Sequence, residues 1–366
     1  MTQASLENMK RVVVRGTNWV GDSVMTVPAL RALRRLMPRA EITLVTRPSA
    51  EGIFTKADFI DDLLIYDRQS ISSVVRQTSE WRRRRFDLAV LFQNAFEAAL
   101  IPCVARVPFR LGYATQGRQL LLTNPVPLPE WRATRHEVFY YLYLVAALEQ
   151  TLLGTNSVCD NEPDSSLNLS EASKAQAFAL MRSFGVAENK IVVAICPGSI
   201  NSRAKRWPAE RYASLADRLI EESRAEVLLI GSREESDVSA AVTSRMRNKP
   251  IVLTGKTSLA EVTAMLGLID LLVTNDTGPA HIAAALGSPT LVVFGPTNPL
   301  TTRPFSPAAE ILRKPPDCAP CMLRDCPIDH RCMTAITVDE VFDRALVLIN
   351  RRKITANAKR LCDFVA

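Results

Sequence analysis

The sequence contains no long apolar run. In its 366 residues no stretch of about 18 consecutive apolar side chains occurs, which is the length that a membrane-spanning helix requires. The opening residues, MTQASLENMKRVVVRG, contain no apolar segment of roughly 7–15 residues ahead of a small-residue cleavage site, as a secretory signal would. We therefore expect a cytoplasmic protein without a membrane span.

Two common nucleotide-binding signatures are also missing. No G-x-G-x-x-G follows a strand-like segment, which argues against a dinucleotide oxidoreductase, and no G-x-x-x-x-G-K-[ST] loop is present. Aromatic residues make up 6% of the chain. They are too sparse around its run of arginines, Arg82–Arg85, to form the stacking platforms of a nucleic-acid groove. We therefore expect no nucleic-acid partner.

The composition is that of a globular protein with an excess of positive charge. Hydrophobic residues make up 47% and charged residues 23%, and the length predicts two domains. The net charge of +7 favours an anionic partner, such as anionic lipid or a phosphorylated molecule. The run Arg82–Arg85 is either the solvated end of a helix or a contact for an anionic surface.

Strand-like apolar runs alternate with helix-like segments along the chain. The runs are rich in Val, Ile and Leu without polar alternation, which is typical of parallel strands covered on both faces. We predict strands at Arg11–Arg15, Glu41–Thr46, Asp87–Phe92, Ile191–Cys196, Glu226–Gly231, Pro250–Thr254, Asp270–Thr274 and Thr290–Gly295. The polar segment TNSVCDNEPDSS then separates two α/β domains, residues 1–160 and 161–366, each with a doubly wound parallel sheet.

The first strand runs directly into a turn and a helix, in the segment VVVRGTNWVGDSVMTVPALRALRRL. Gly16 and Gly21 permit a close backbone approach at this turn. Ligands of doubly wound folds bind at the carboxyl ends of strands. Asp22 is therefore either a capping or first-turn acid of the helix, or a carboxylate that takes a proton from a hydroxyl group.

The first strand of the second half leads into a loop rich in hydrogen-bond donors, within IVVAICPGSINSRAKRWPAERYASLADRL. The loop contains Ser199, Asn201, Ser202, Arg203, Lys205 and Arg206. Hydroxyl, amide and cationic groups in one short loop suit a phosphate group. The alternative is an ordinary polar loop.

A later loop of the same half carries the segment NDTGPAH. Asp276, Thr277 and Gly278 stand between a strand and a helix, where free backbone amides attract an anion. Thr277 and His281 are four positions apart and would share a helix face. His281 is then placed to donate to a phosphate or ribose oxygen; the alternative is a structural histidine.

In this order, the three segments resemble glycosyltransferase family 9, the bacterial lipopolysaccharide heptosyltransferases. The resemblance spans roughly Lys10 to Leu348, and its motifs are WVGDxVMxxP, PGSxxxxAKRWPxxxY and NDTGxxHxAAAxGxPxxxxFGPTxP. Each motif alone is weak, but the ordered set is specific. The segment CAPCMLRDCPIDHRCM adds a resemblance to the subgroup that acts second in inner-core assembly.

The resemblance implies a GT-B fold, in which two Rossmann-like domains face a cleft, the first binding the acceptor and the second the nucleotide sugar. It implies an inverting transfer of heptose from ADP-L-glycero-D-manno-heptose to the inner-core heptose on Kdo-lipid A, without a catalytic metal. The protein would work peripherally at the cytoplasmic face of the inner membrane. A transferase for another nucleotide sugar and a non-catalytic nucleotide-sugar sensor are the alternatives.

The resemblance also implies roles for individual residues. Asp22 matches the family's proposed general base, and Lys205 matches the residue that pairs with the donor pyrophosphate as it leaves. The matches to the donor-contacting turn are Asp276, Thr277, Gly278 and His281.

Two further assignments follow from the resemblance with less detail. In relatives an acid after the strand Glu226–Gly231 contacts the donor ribose; Glu234 and Glu235 both qualify here, and we favour Glu235. The acceptor site is not assigned, and Arg82–Arg85 are the only candidate contact for it.

Four of the eight cysteines cluster in sequence, and the others, Cys103, Cys159, Cys196 and Cys362, are scattered. The clustered residues are Cys318, Cys321, Cys326 and Cys332. Their spacing allows a structural zinc site, although the gap between the pairs is short for a zinc ribbon. Reduced structural thiols and a disulfide are the alternatives.

Overall fold

The computed structural model describes residues 9–365, and places side chains for residues 9–352. The chain divides into two compact units, Met1–Ser165 and Ser166–Ala366. This division lies within the polar segment that separates the predicted domains, a few residues after the predicted boundary.

The first unit contains a six-stranded parallel sheet with helices between its strands. The strands are β1 Arg11–Arg15, β2 Glu41–Thr46, β3 Asp62–Ile65, β4 Leu88–Leu91, β5 Phe109–Tyr113 and β6 Asn124–Val126. The helices are Val20–Met25, Val27–Leu36, Glu51–Phe54, Ile71–Arg84, Phe96–Val104 and Glu137–Leu153. The strand order is β3-β2-β1-β4-β5-β6.

The second unit repeats this design with its own six-stranded parallel sheet. Its strands are β7 Val192–Cys196, β8 Glu226–Leu229, β9 Ile251–Val252, β10 Leu271–Asn275, β11 Thr290–Val293 and β12 Ala309–Leu312. The helices are Glu171–Ser183, Ala209–Ser223, Ser236–Thr243, Leu259–Leu266, Gly278–Ala285, Pro299–Thr302, Arg331–Thr334 and Val338–Val365. The strand order is β12-β11-β10-β7-β8-β9.

Counted from the first strand of each unit, both sheets have the order 3-2-1-4-5-6 of Rossmann folds. Every strand pairing is parallel. The predicted α/β class with two doubly wound sheets is confirmed. In this topology the strand order reverses beside the first strand, and the carboxyl ends of β1 and β4, and of β7 and β10, form the usual binding crevice.

The central strands are apolar and buried on both faces, and this burial stabilises each unit separately. In the first unit Val13, Ala89 and Leu91 pack with Trp81 and Phe86. In the second unit the strands pack against Trp207 and Tyr212. At roughly 25 cal/mol per Å² of apolar surface, such buried layers supply most of the folding free energy.

Sequence patterns missed β3, β5, β6 and β12. Three of these, β3, β6 and β12, are edge strands. β3 and β12 are only partly buried, so neither carries a continuous apolar run. β6 is three residues long and contains Pro125, which suits only an edge or the first residues of a strand. Among the residues that the structure describes, none of the helices combines the length and apolarity needed to cross a bilayer.

Candidate functional site

The crevice of the second sheet lies where β7 and β10 end side by side. β7 continues into the loop with Ser199, Asn201 and Ser202, and β10 ends at Asn275, directly before Asp276. Parallel pairing aligns Thr274 with Cys196, so both loops leave the sheet at the same level. The two donor-rich segments predicted from sequence therefore meet at one point of the fold.

Asn275 joins the two loops through its side-chain amide. Its Nδ2 donates to the carbonyl oxygens of Pro197, at 2.8 Å, and Gly198, at 3.0 Å. Its Oδ1 accepts from the Trp207 backbone N–H and the Tyr212 hydroxyl, both at 2.9 Å. The residue is fully buried, and these four bonds use its whole hydrogen-bonding capacity. Asn275 thus fixes the path of the β7 loop against β10.

We expect Asn275→Ala to lower the free energy of unfolding by about 3 kcal/mol, because it leaves several buried donors and acceptors without partners. Asn201→Ala, at an exposed position of the β7 loop, is the matched control and should change stability by less than about 0.5 kcal/mol. Urea unfolding of both variants measures the difference. Equal stabilities of the two variants would show that Asn275 does not hold the loops together.

Lys205 and Asp276 form the charged centre of the site. Lys205 Nζ lies 2.9 Å from Asp276 Oδ2 and donates also to the Asp276 carbonyl oxygen, at 3.2 Å. Thr297, in the loop after β11, donates through its hydroxyl to the same Oδ2 at 2.7 Å. The Asp276 side chain is 4% exposed and that of Lys205 is 25% exposed. Asp276 therefore holds the ammonium group in one orientation at the edge of the sheet.

This arrangement suits an anionic ligand. An ammonium group has three N–H donors, and the described contacts of Lys205 use two of them, both on Asp276. The remaining donor is on a group that is partly open to solvent. A phosphate oxygen bound there would complete the coordination of a cation that is already oriented.

The helix Gly278–Ala285 begins beside this pair. Thr277 is its N-cap residue, and the Thr277 hydroxyl turns back to the Asn275 carbonyl oxygen, at 3.3 Å, without capping the helix. The four-residue spacing predicts that Thr277 and His281 share a helix face. Thr277 instead precedes the helix in an extended conformation, so this prediction is wrong. His281 is buried, with its Nε2 at 4.0 Å from Asp276 Oδ1. All four residues of this turn lie within the β10 loop and the start of its helix, as predicted.

Of the two candidate acids after β8, the structure separates a buried one from an exposed one. Glu235 is buried, and its Oε2 accepts from the Ser232 backbone N–H at 2.9 Å. A Cβ at Gly198 would lie 2.1 Å from Glu235 Oε1, so the glycine makes room for this carboxylate beside the β7 loop. Glu234 is exposed. The geometry thus brings Glu235, and not Glu234, to the β7 loop.

The three polar residues of the β7 loop face different surroundings. Ser199 is buried, and its carbonyl oxygen accepts from Arg206 Nη2 at 3.0 Å, whereas Asn201 is exposed. Ser202 is also buried, and its hydroxyl donates to the carbonyl oxygens of Leu323, at 3.2 Å, and Arg324, at 3.1 Å. Ser202 therefore contacts the cysteine-rich segment, residues 318–332.

The cysteine-rich segment supports the Arg203–Lys205 turn through several bonds. The Ala204 N–H donates to the Arg324 carbonyl oxygen at 2.9 Å. His330 Nε2 lies 2.6 Å from the Ala204 carbonyl oxygen, which can only accept, so this ring nitrogen carries the proton. Arg203 pairs with Asp325 at 2.6 Å. The residue that precedes Lys205 is thus held from both its N–H and its C=O.

The state of the four clustered cysteines differs along the segment. Cys318 is exposed, Cys321 and Cys326 are partly buried, and Cys332 is buried; all four are free thiols in the structure. Burial, and then the neighbouring Cys321, raise the pKa of Cys332 to about 11. Among residues 9–352, no three His, Cys, Asp or Glu side chains are placed together to hold a metal ion. The zinc site stays a prediction, and the side chain of Cys362 lies outside the described residues.

Asp22 lies at the corresponding crevice of the first unit. It is in the first turn of the helix Val20–Met25, whose N-cap is Trp19, so it is not the capping residue. The residue is partly buried. Burial, and then the charge of Asp22, raise the pKa of the Tyr141 phenol.

The run Arg82–Arg85 ends the helix Ile71–Arg84, and much of its charge is already paired. Arg84 forms ion pairs with Asp62 and Glu80, and Arg83 pairs with Glu80 at 2.5 Å. Arg82 donates to the Val104 carbonyl oxygen at 3.2 Å. The local excess of positive charge is therefore smaller than four consecutive arginines would suggest.

Sequence reasoning missed two residues of the second-unit site. Thr297 follows Gly295 and Pro296 at the end of β11, and its position after a strand was the available signal. Asn275 belongs to the same sequence motif as Asp276, but the sequence does not predict that its side chain forms four hydrogen bonds. Such a role depends on contacts between residues nearly 80 positions apart.

Comparisons with known proteins support one family. The family model for glycosyltransferase family 9 (heptosyltransferase) matches residues 74–331. Lipopolysaccharide heptosyltransferase 2 of Salmonella typhimurium is 28% identical over 319 residues, which cover 83% of this chain and 88% of that protein.

Solved structures agree with this comparison. The Escherichia coli ADP-heptose LPS heptosyltransferase II superposes with a TM-score of 0.80 at 25% identity, over 94% of this chain and 99% of that one. The E. coli heptosyltransferase WaaC with ADP gives a TM-score of 0.67 at 17% identity, over 92% and 99% of the two chains. Together with the two Rossmann-type sheets, these matches confirm the predicted GT-B class.

Proposed function

Because the chain belongs to glycosyltransferase family 9, the heptosyltransferases, we propose that it transfers heptose from ADP-L-glycero-D-manno-heptose to the inner-core heptose of lipopolysaccharide. The observation that carries this proposal is the Lys205–Asp276–Thr297 group at the crevice of the second sheet. A similar protein is an ADP-heptose LPS heptosyltransferase, which supports the donor and the acceptor class.

In the proposed reaction a hydroxyl oxygen of the acceptor attacks the anomeric carbon of the heptose, and the bond from that carbon to the pyrophosphate oxygen breaks. The configuration at the anomeric carbon inverts. The hydroxyl proton passes to the Asp22 carboxylate, and ADP leaves with the electron pair of the broken bond. Each of these events puts charge at a defined atom, so the protein accelerates transfer by stabilising that charge.

Lys205 would neutralise the departing ADP. Its ammonium group is oriented by Asp276 before any ligand arrives, so little reorganisation is needed when negative charge develops on the pyrophosphate. The start of the helix Gly278–Ala285 adds backbone amides beside the same point. His281 and Glu235 would complete the donor contacts, Glu235 at the ribose. These roles account for why the charged residues of the site are held so firmly.

Asp22 would act as the general base. It lies in the first turn of the helix Val20–Met25, and its carboxylate is the group that would take the hydroxyl proton as the acceptor attacks. General-base catalysis of this kind contributes about 100- to 10,000-fold to the rate. Because a general base does not contact the nucleotide, substituting Asp22 should leave the affinity for ADP unchanged. This expectation distinguishes the role of Asp22 from the role of Lys205.

Membrane contact forms part of the proposal. The acceptor is lipid-linked, and the net charge of +7 favours an anionic membrane surface at the cytoplasmic face. Arg82, Arg83 and Arg85 are the exposed members of the arginine run and would make this contact. Substituting them should reduce use of the lipid-linked acceptor more than use of the same acceptor without its lipid.

We expect His330→Ala to raise the KM for the donor about fivefold, since it removes a hydrogen bond that positions the Lys205 turn, worth about 1 kcal/mol. His330→Gln keeps a donor for the Ala204 carbonyl oxygen and should recover most of the affinity. Ile328→Ala, an exposed neighbour, is the control. Steady-state kinetics measure the three values, and a KM in His330→Ala equal to that of the wild type would remove His330 from this role.

The test of the proposed function is donor selectivity. The wild-type protein is incubated with a mono-heptosylated Kdo2-lipid A in three parallel reactions, which contain ADP-heptose, an ADP-hexose or a UDP-hexose as the donor. Transfer from ADP-heptose alone supports the proposal. Transfer from a different nucleotide sugar would keep the reaction type and change the donor. Binding of ADP-heptose without any transfer would favour a nucleotide-sugar sensor.

A further inference from the structure

The first unit contains a cavity of about 260 Å³ that the proposed reaction does not yet use. It lies at the carboxyl ends of the first four strands, because Arg15 ends β1 and the other lining residues Arg47, Tyr66 and Gln93 follow β2, β3 and β4. Asn18, Arg68 and Glu97 also line it. At roughly 30 Å³ per water molecule, it has room for an anionic group and part of a sugar ring.

Arg15 is the buried cation of this cavity. Its residue surface is 6% exposed, and its guanidinium lies 5.6 Å from the centre of the Tyr66 ring. It donates to the Gly16 carbonyl oxygen at 2.7 Å and to Asn18 Oδ1 at 3.0 Å, both on its own loop. Burial lowers the pKa of Arg15 to about 10, so the group stays charged at neutral pH.

Among the described residues, Arg15 forms no direct ion pair. The charge of Glu97 acts on it from a longer range and offsets only part of the lowering of the Arg15 pKa by burial. A buried charge without a direct counter-ion is costly, by several kcal/mol. Two of its N–H groups are used by loop oxygens, and a guanidinium has five. The cavity therefore holds an oriented cation with donors to spare.

The acids near the cavity are engaged with other groups. Glu97 accepts from the Tyr66 hydroxyl at 2.5 Å and pairs with Arg68 at 2.8 Å. Arg47 pairs with Asp67 at 2.6 Å. Each acid is thus matched by a nearby cation, and the charge left over is that of Arg15. The cavity lacks one negative charge.

We propose that this arginine cavity binds one carboxylate or phosphate group of the sugar acceptor, an inference that rests on the proposed function. Arg15 supplies the unmatched charge, and Arg47, whose side chain is 37% exposed, supplies a second cation at the rim. Both oxyanions suit the planar donor fork of arginine. Arg15 is also the last residue of the strand that leads to Asp22, so binding the anion would fix the acceptor near the helix that carries the general base.

The experiment measures binding of the lipid-free inner-core oligosaccharide by calorimetry, without donor. The variants are Arg15→Gln and Arg47→Gln, with Arg39→Gln, an exposed arginine of the same unit, as the matched control. We expect each cavity variant to weaken binding by about 10- to 100-fold, as for loss of a charge-assisted hydrogen bond, and the control to change it less than twofold. ADP affinity should be unchanged in all three.

Two modified ligands identify the source of the anion. In one the phosphates are removed, and in the other the carboxylates are converted to methyl esters. The modification that removes the bound group should weaken binding to the wild type and cause a smaller further loss in Arg47→Gln, because that variant has already lost one of the two cations that contact the group. Arg47→Gln serves this purpose even if Arg15→Gln fails to fold, since the only described ion pair of Arg47 is with the partly buried Asp67.

Each outcome decides the proposal. Wild-type affinity in both cavity variants, absence of oligosaccharide binding to the wild type, or insensitivity to both modifications would overturn it. If the wild type binds the oligosaccharide through the arginines and yet transfers no heptose, the cavity assignment stands and the proposed function fails. The two failures are therefore distinguishable.

Discussion

Replacing Lys205 by alanine is expected to lower kcat/KM for heptosyl transfer by about 100- to 1000-fold, the range found when one group that stabilises transition-state charge is removed. The ammonium group lies 2.9 Å from Asp276 Oδ2 and is held by two acceptors of the same residue. Negative charge on the pyrophosphate grows as the bond to heptose breaks. We therefore expect kcat to fall more than the affinity for intact ADP-heptose.

Two further variants make this result specific. Lys256→Ala removes an exposed lysine of the same unit and should leave kcat/KM within about twofold of the wild type. Lys205→Arg keeps a positive charge to pair with Asp276. Activity in this variant would show that the loss in Lys205→Ala does not come from unfolding. Because a guanidinium differs in shape from an ammonium, we expect only partial activity from it. Wild-type kcat/KM in a folded Lys205→Ala would contradict the role of Lys205.

Asp22→Asn is expected to lower kcat by about 100- to 10,000-fold while leaving ADP affinity unchanged. The change keeps the size of the side chain but removes its ability to accept the hydroxyl proton. Asp22 lies in the first unit, in the first turn of the helix that follows β1, whereas the Lys205–Asp276 pair lies in the second. Loss of catalysis without loss of nucleotide binding is therefore the signature of this residue.

The measurement is kcat and the donor KM in the steady state, together with ADP binding by calorimetry. Asp160→Asn, an exposed acid of the same unit, is the matched control and should behave as the wild type. If ADP affinity fell in parallel with kcat in Asp22→Asn, the residue would act on the donor site or on folding. If kcat did not change, another group would be the base.

The fold was predictable where burial is complete. Strands such as β7 and β10 have every residue buried, so their apolar runs are visible in the sequence. Edge strands such as β3 expose side chains and lose that signal. Both switch-point loops of the second unit were predictable as well, because glycine, proline and polar residues follow apolar strands there.

The partners of individual site residues were not predictable. Ser202 has a hydroxyl group that could bind phosphate. In the structure this hydroxyl donates instead to the carbonyl oxygens of Leu323 and Arg324, which are about 120 residues away in the chain. Arg84 contributes to a run of four arginines but is neutralised by Asp62 and Glu80. Arg15 has the sequence context of an ordinary strand residue, and only the fold shows that it is buried without a direct ion pair among the described residues. Contacts over such separations are set by packing, which a local pattern does not encode.

The most direct test of the account is the reaction itself. Purified wild-type protein is incubated with ADP-heptose and a mono-heptosylated Kdo2-lipid A, and the lipid product and released ADP are measured by mass spectrometry. The account predicts a product heavier by heptose, with one ADP released for each heptose added, and its loss in Lys205→Ala and Asp22→Asn. An intact wild-type protein that binds ADP but forms no such product would contradict it.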